Sequence, residues 1–334
     1  MYHFAGIGNI AVDLIAQVDD AFLERYNFAK GQCTYISPPL MEEIKAALAG
    51  KFGSISGGAA ANAACCVGLL GGRAAILGRY ADDSTGSLFK ETMKRYGVSL
   101  ATAPRTGDGE FTAQIFCLTT PDTERTFAAC YGSAALLDET DIPENTVMGS
   151  DILYLDGYSL VAPRARAAFE YALSLARKRG KFVAFNPNDR SIINAYNEDV
   201  RHFLRVSDIL FLAAPDAVAL YDAHDLDDAK NRLAATGKRA VVTDGSAGSW
   251  IFDGTIWHFI EIVQPDGPVV DTNGAGDNYA GGFLYGLATG MDIQIAGRLG
   301  AACASYVITR SGAVADKGLL EFIRLKTGLF ADAA

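Results

Sequence analysis

The sequence Asp271-Thr272-Asn273-Gly274-Ala275-Gly276-Asp277, continued by Asn278-Tyr279-Ala280-Gly281-Gly282, brings three features together. Its glycines let the backbone approach a ligand without interference from a Cβ. The apolar residues that follow, Ala280, Phe283, Leu284 and Leu287, recur at helical spacing, so Gly274 to Gly276 is expected to open a helix. A helix N-terminus offers unpaired N–H groups and the positive end of a dipole, which together hold an anion. Asp277 then directs a carboxylate into that same place. An acid beside an anion hole is electrostatically costly unless it must take a proton from a group that attacks the anion. That is the logic of phosphoryl transfer to a hydroxyl. The bland alternative is an ordinary helix with an acid in its first turn.

A second motif lies far upstream: Gly57-Gly58-Ala59-Ala60-Ala61-Asn62-Ala63-Ala64, continuing through Leu69-Leu70-Gly71-Gly72-Arg73 to Ala75-Ile76-Leu77-Gly78-Arg79. The glycine pair precedes a small-residue run that reads as a tightly packed helix. Gly71-Gly72 ends it, and Ala74 to Leu77 reads as a short buried strand. Asn62 is the odd residue, an amide one turn into an apolar helix. It either satisfies nearby backbone or presents donor and acceptor to a polyhydroxy substrate.

Together these segments resemble the PfkB (ribokinase-like) carbohydrate kinases, and nearly the whole chain takes part in the resemblance. The opening Gly6-Ile7-Gly8-Asn9-Ile10-Ala11-Val12-Asp13 is similar to the family's first strand with its substrate-binding Asp. Thr243-Asp244-Gly245-Ser246-Ala247-Gly248 is similar to its Thr-x-Gly-x-x-Gly nucleotide loop. The Gly8-Asn9-x-x-x-Asp13 opening and the long insert before Gly57 resemble the adenosine-kinase branch and its bacterial sugar-kinase relatives.

The resemblance implies a three-layer α/β/α fold with a mostly parallel central sheet and a small β-rich lid. It also implies ATP and Mg²⁺ as co-substrate and cofactor. Asp277 is then the base, with Gly274, Ala275 and Gly276 stabilising the transferred phosphoryl group. Asn9, Asp13, Gly57, Gly58, Asn62 and the lid residue Arg125 would meet a sugar or nucleoside. Thr243, Gly245, Gly248 and Asn273 would line the nucleotide, and Asp216 would face the metal. The family's monovalent-cation loops fall near Asp271 and Arg310-Ser311-Gly312-Ala313, which leaves K⁺ open.

Composition agrees with a compact enzyme. The chain has 334 residues, 50% hydrophobic and 20% charged, with a formal net charge of −10. It can bury a large core. No block of Lys or Arg occurs, so nucleic acid and anionic membrane are not expected partners. The N-terminus has no signal-peptide pattern, and the apolar run Ala59 to Leu70 is too short to span a bilayer. The six cysteines lack metal-like spacing and read as small buried hydrophobes, which with the rest suggests the cytoplasm. A monomer and a homodimer are both left open.

Strand-like and helix-like segments alternate along the chain. Strands are expected at 4–15, 74–78, 112–119, 125–131, 152–155, 182–186, 209–213, 240–244, 249–252 and 255–260. The clearest helix runs from Pro163 to Arg179, with a basic last turn and Gly180 as its stop. Such alternation argues for a parallel sheet wrapped on both faces within one domain, residues 1–334. Residues 12–50 and 101–135 break the alternation and are the expected lid segments. The latter holds two half-polar strands joined by Pro121-Asp122-Thr123.

Two departures from the family pattern stand out. Its Asn-x-x-Glu element becomes Ala213-Ala214-Pro215-Asp216, and an expected Asp before Pro-Asn becomes Asn186-Pro187-Asn188. These departures motivate a competing reading, a catalytically weakened ligand-binding relative. A dinucleotide-binding reading of Gly6-x-Gly8-x-x-Ala11 requires a helix after the glycines, whereas Ile10 to Val18 alternates as a strand. No Gly-x-x-x-x-Gly-Lys-Ser/Thr occurs, which excludes a P-loop kinase.

Overall fold

The computed structural model describes residues 1–107, 109–122 and 124–330; Thr123 of the expected strand connection lies outside them, as do Asp108 and residues 331–334. Fourteen strands occur among the described residues: β1 (Tyr2–Ile7), β2 (Ala11–Gln17), β3 (Cys33–Tyr35), β4 (Gly53–Gly57), β5 (Ala74–Leu77), β6 (Val98–Leu100), β7 (Ala113–Thr119), β8 (Arg125–Cys130), β9 (Ser150–Asp156), β10 (Phe182–Asn186), β11 (Ile209–Ala213), β12 (Arg239–Thr243), β13 (Ser249–Phe252) and β14 (Trp257–Ile260). They form a nine-stranded sheet, β14-β13-β12-β11-β10-β9-β1-β5-β6, and a five-stranded sheet, β3-β8-β7-β2-β4.

In the large sheet every pairing from β12 to β6 is parallel, and β13 and β14 close one edge as an antiparallel hairpin. Successive side chains point to opposite faces, so a sheet covered on both sides needs continuous apolar runs. Ile152 and Tyr154 enter one core with the helices Ala59–Leu69, Ala275–Ala288 and Ile293–Val307. Leu153 and Leu155 enter the other, with the helices Ala165–Lys178 and Asn197–Val206. The result is the expected three-layer arrangement. The helix expected from Pro163 begins at Ala165, and Gly180 adopts a φ of 60° behind its C-terminus.

The expectation of one strand over 4–15 is corrected. The chain breaks at Gly8-Asn9-Ile10 and passes from the large sheet as β1 into the small sheet as β2. Apolar character continues across the break because both strands bury side chains, so hydrophobicity alone does not reveal a change of sheet. Gly8 allows the crossing: a Cβ there would lie 2.5 Å from Ala60 Cβ and 2.8 Å from Asp156 Oδ2. No helix follows the glycines, against the dinucleotide-binding reading.

The small sheet draws on both stretches that break the alternation and adds β4, which lies beyond residue 50. One of its faces packs on the helix Pro38–Ala47 through Val12, Leu14, Phe116, Leu118, Met41 and Ile44. Five of the six cysteines are buried as expected, whereas Cys33 is exposed on β3. No helix among the described residues is long and apolar enough to cross a membrane.

Candidate active site

The parallel strands all end on one side of the large sheet, where open α/β sheets bind their ligands. Asn9 follows β1, Asp156 ends β9, Asn188 follows β10, Asp216 follows β11 and Thr243 ends β12. The neighbouring strands β1 and β9 are where chain order reverses across the sheet, with β5 and β6 on one side and β10 to β12 on the other.

The helix Ala275–Ala288 starts as the sequence suggests. Gly274 is its N-cap with a φ of 74°, and a Cβ there would lie 2.2 Å from Ala313 O. Only glycine fits both demands. Asn278, fully buried, ties this turn to the neighbouring loop: its Nδ2 donates to Gly274 O and Ala313 O, both at 2.8 Å. Of the first-turn N–H groups of this helix, Ala275 N donates to Thr272 O at 3.3 Å, and the next ones have no carbonyl one turn back within the helix.

Asp277 sits in that first turn. Its Oδ2 accepts a hydrogen bond from Asn62 Nδ2 at 2.9 Å, joining two motifs 215 residues apart. Burial pushes its carboxyl up to about 7; Asn62 opposes the shift, while Asp156 and Asp13 add to it. Asp13, on β2, lies against Gly57, where a Cβ would come within 2.4 Å of its Oδ1. Burial raises Asp13 to about 7 as well. Asp156 is fully buried and raised by burial to about 6, although Tyr158 N, Ala60 N and Asn188 Nδ2 donate to it. Gly58, with a φ of 93°, would carry a Cβ 2.3 Å from Asn9 O. The site therefore holds a knot of carboxylates that need protons, cations or donor hydroxyls.

Asn9 is placed differently from the other expected contacts. Its Nδ2 donates to Tyr158 O at 3.1 Å, and its Oδ1 accepts from Ser159 Oγ at 3.4 Å. Its amide thus braces the turn after β9. Arg125 crosses from the small sheet and pairs with Asp271 at 2.6 Å. Asp271 also accepts from Asn273 N and Gly312 N, so this one carboxylate organises the entry to the anion hole.

The expected nucleotide loop turns tightly after β12. Gly245 and Gly248 have φ values of 52° and 107°, and a Cβ on Gly248 would lie 2.6 Å from Ile260 O. Ser249 Oγ and Tyr279 Oη share a hydrogen bond of 2.8 Å, which couples this loop to the Asp277 helix. Asp216 lies in the first turn of the helix Ala214–Leu220, raised to about 6 by burial and by Asp189, with Arg190 opposing. No group of three or more His, Cys, Asp or Glu among the described residues is arranged to hold a metal.

Sequence reasoning missed Asp156 and the bridging role of Asn278. Asp156 had a signal, since it is a charged residue that closes the apolar run Ile152–Leu155. Asn278 had none, because the loop it bridges to, at Ala313, is 35 residues away.

Comparison with known proteins agrees with this geometry. Residues 26–317 match the pfkB family carbohydrate kinase. The adenosine kinase of Sinorhizobium meliloti is 33% identical, superposes with a TM-score of 0.89, and is covered over 97% of this chain and 99% of that one. A probable sugar kinase from Rhizobium etli is 30% identical with a TM-score of 0.90, covering 97% of this chain and 98% of that one. A 5-dehydro-2-deoxygluconokinase from Geobacillus thermodenitrificans is 28% identical over 264 residues, 76% of this chain and 78% of that one. The matched span takes in both glycine motifs together with Asp156 and Asp277, and this chain belongs to the pfkB family of carbohydrate kinases, near its adenosine-kinase-like branch, and is a phosphotransferase.

Proposed function

We propose that the protein transfers the γ-phosphate of ATP to a primary hydroxyl of a sugar or nucleoside, with Asp277 as general base. The observation that carries this is the placement of Asp277: one carboxylate oxygen is engaged by Asn62 at 2.9 Å, in the first turn of a helix whose N-terminus has no side-chain cap and can take an anion. The other oxygen is free to accept the acceptor's hydroxyl proton as that oxygen attacks the γ-phosphorus and ADP departs. Positioning and charge stabilisation supply most of the acceleration in such a step.

Asp13 orients the acceptor by receiving hydrogen bonds from its other hydroxyls, and Gly57 and Gly58 let the sugar lie close to the backbone. N–H groups of Gly274, Ala275 and Gly276 stabilise charge on the phosphoryl group. Thr243, Gly245, Gly248 and Asn273 line the nucleotide. Arg125 closes the small sheet, as a lid, against the Asp271 turn and excludes water from the transfer. Mg²⁺ usually keeps several waters and binds through one or two carboxylates plus phosphates, which fits a site without a ready-made carboxylate cage. Asp216 would hold it, and the ion would neutralise phosphate charge. The intact base and helix N-terminus speak against a pure ligand-binding relative, which has no use for a half-buried, destabilised carboxylate there.

Replacing Asp277 by Asn keeps size and the Asn62 contact but removes the base. Turnover, read as ADP release from Mg-ATP with the best acceptor, should fall by about 10²–10⁴ while nucleotide binding persists. Turnover within tenfold of wild type would remove Asp277 as the base.

A further inference from the structure

A second cavity lies at the amino ends of β11 and β12, at the opposite ends of the strands from the transfer site. Its volume is about 240 Å³, and the helices Asn197–Val206 and Ala214–Leu220 both finish beside it. Leu204, Leu210 and Tyr221 form its apolar wall. Arg201, Arg205 and Lys238 supply its charge, and no carboxylate lines it. Three acids close by in the chain are engaged elsewhere: Asp199 by Arg166 at 2.6 Å, Asp208 by Arg177 at 3.1 Å and Asp228 by Arg232 at 2.9 Å. The exposed Asp222 acts on Arg232. Among the described residues, Arg201, Arg205 and Lys238 enter no ion pair.

The two helix ends account for part of this charge. Lys238 Nζ donates to Ser207 O at 3.1 Å, and Arg201 Nη2 donates to Leu220 O at 2.9 Å, so each covers a terminal carbonyl. A helix carboxyl end counts for about half a negative charge, so two of them offset about one of the three positive charges. About two remain, in a chain whose formal net charge is −10. Donors remain as well. Arg201 Nε is taken by Asn197 Oδ1 at 2.8 Å, which leaves its Nη1, and Arg205 makes no hydrogen bond among the described residues. Arg201 also acts on the Tyr221 hydroxyl, against the rise that burial causes there. Ser207 Oγ, on the residue that Lys238 holds, is fully buried with no partner among the described residues.

We propose that this cavity is a second anion site, taking a phosphate group, free or carried by a small organic compound, between Arg201, Arg205 and Lys238. A phosphomonoester carries about 1.5–2 negative charges at pH 7, which matches the surplus. Guanidinium groups present paired donors that fit phosphate oxygens, and the lysine adds a point charge. The volume of about 240 Å³ falls below the range of about 300–1,000 Å³ usual for ligand pockets, so the ligand is small. Leu204, Leu210 and Tyr221 give an organic ligand an apolar wall beside the charge.

The test is isothermal titration calorimetry on the whole protein loaded with Mg²⁺ and a non-hydrolysable ATP analogue, which fills the transfer site. Inorganic phosphate and phenyl phosphate are the probes, with KCl adjusted to hold ionic strength constant. One saturable site should appear. Arg205→Gln and Lys238→Gln should each weaken it at least fivefold while binding of the ATP analogue is kept. Phenyl phosphate binding at least fivefold tighter than inorganic phosphate assigns an organic phosphate, and closer affinities assign the free ion. The inference is overturned by the absence of saturable binding or by an affinity unchanged in both variants. Equal weakening by Lys90→Gln, on the helix Ser84–Arg95 that packs on β6 at the other edge of the sheet, would also overturn it, since charge alone would then be read.

Discussion

Replacing Asn62 by Ala should move the pH dependence of turnover rather than simply lower it. Asn62 Nδ2 donates to Asp277 Oδ2 at 2.9 Å, and that bond favours the ionised carboxylate. A hydrogen bond to a charged group is worth about 1.5–3 kcal/mol, and one pKa unit corresponds to about 1.4 kcal/mol. Losing it should therefore raise the Asp277 pKa by about 1–2 units from a resting value of about 7. The base must be ionised to act, so the acid limb of the kcat profile moves to higher pH by that amount. On the steep part of the limb the variant should be about ten- to a hundredfold slower, and the two enzymes should converge on the alkaline plateau. Bound nucleotide changes the absolute pKa of both enzymes, so the difference between their limbs is the quantity to read. The assay is ADP release from saturating Mg-ATP and acceptor between pH 5.5 and 9.5, with kcat and KM separated. A lost acceptor contact would appear in KM. A uniform fall in kcat at every pH, with the limb unmoved, would refute the view that Asn62 holds Asp277 in its working state.

Two further outcomes follow from the same site. Gly274→Ala puts a Cβ 2.2 Å from Ala313 O at a φ of 74°, a strain of about 1–2 kcal/mol before the loop moves; the chain should still fold, while turnover falls at least tenfold, and wild-type kinetics would show that the anion-hole turn tolerates displacement. Asp13 and Asp277 stand at about 7, and Asp156 and Asp216 at about 6, against an ordinary value of 3.8, so between about pH 4 and 7 these four groups bind more protons in the native state than in the unfolded chain, and above about pH 5 the carboxylates held low no longer oppose them. Stability of the ligand-free protein should accordingly fall as pH rises through that window, by up to about 1.4 kcal/mol per pH unit for each such group. The urea midpoint should be higher at pH 5 than at pH 8, and equal midpoints would contradict the burial of these carboxylates.

The sequence by itself determined the layers and the chemical parts of the site. Continuous apolar runs such as Ile152–Leu155 and Ile209–Leu212 call for a sheet covered on both faces, and local glycine requirements mark the anion hole and the nucleotide loop. Both signals are local, because a strand's two-sided burial and a glycine's positive φ are set within a few residues. Where the chain changed sheets was not legible. Apolar and small residues run from Phe4 through Val12 with only Asn9 between them, and the crossing depends on Ala60 and Asp156, distant in the chain. Strand β4, Gly-Ser-Ile-Ser-Gly, has poor intrinsic strand preference and exists because β2 pairs with it.

Tertiary structure alone decided the relations between groups. It brought Asn62 to Asp277 across 215 residues and Arg125 to Asp271, and gathered Asp13, Asp156 and Asp277 into one electrostatic unit. Spacing along the chain carries no record of these contacts, because burial and long-range packing, not neighbouring residues, set the distances and the carboxylate pKa values.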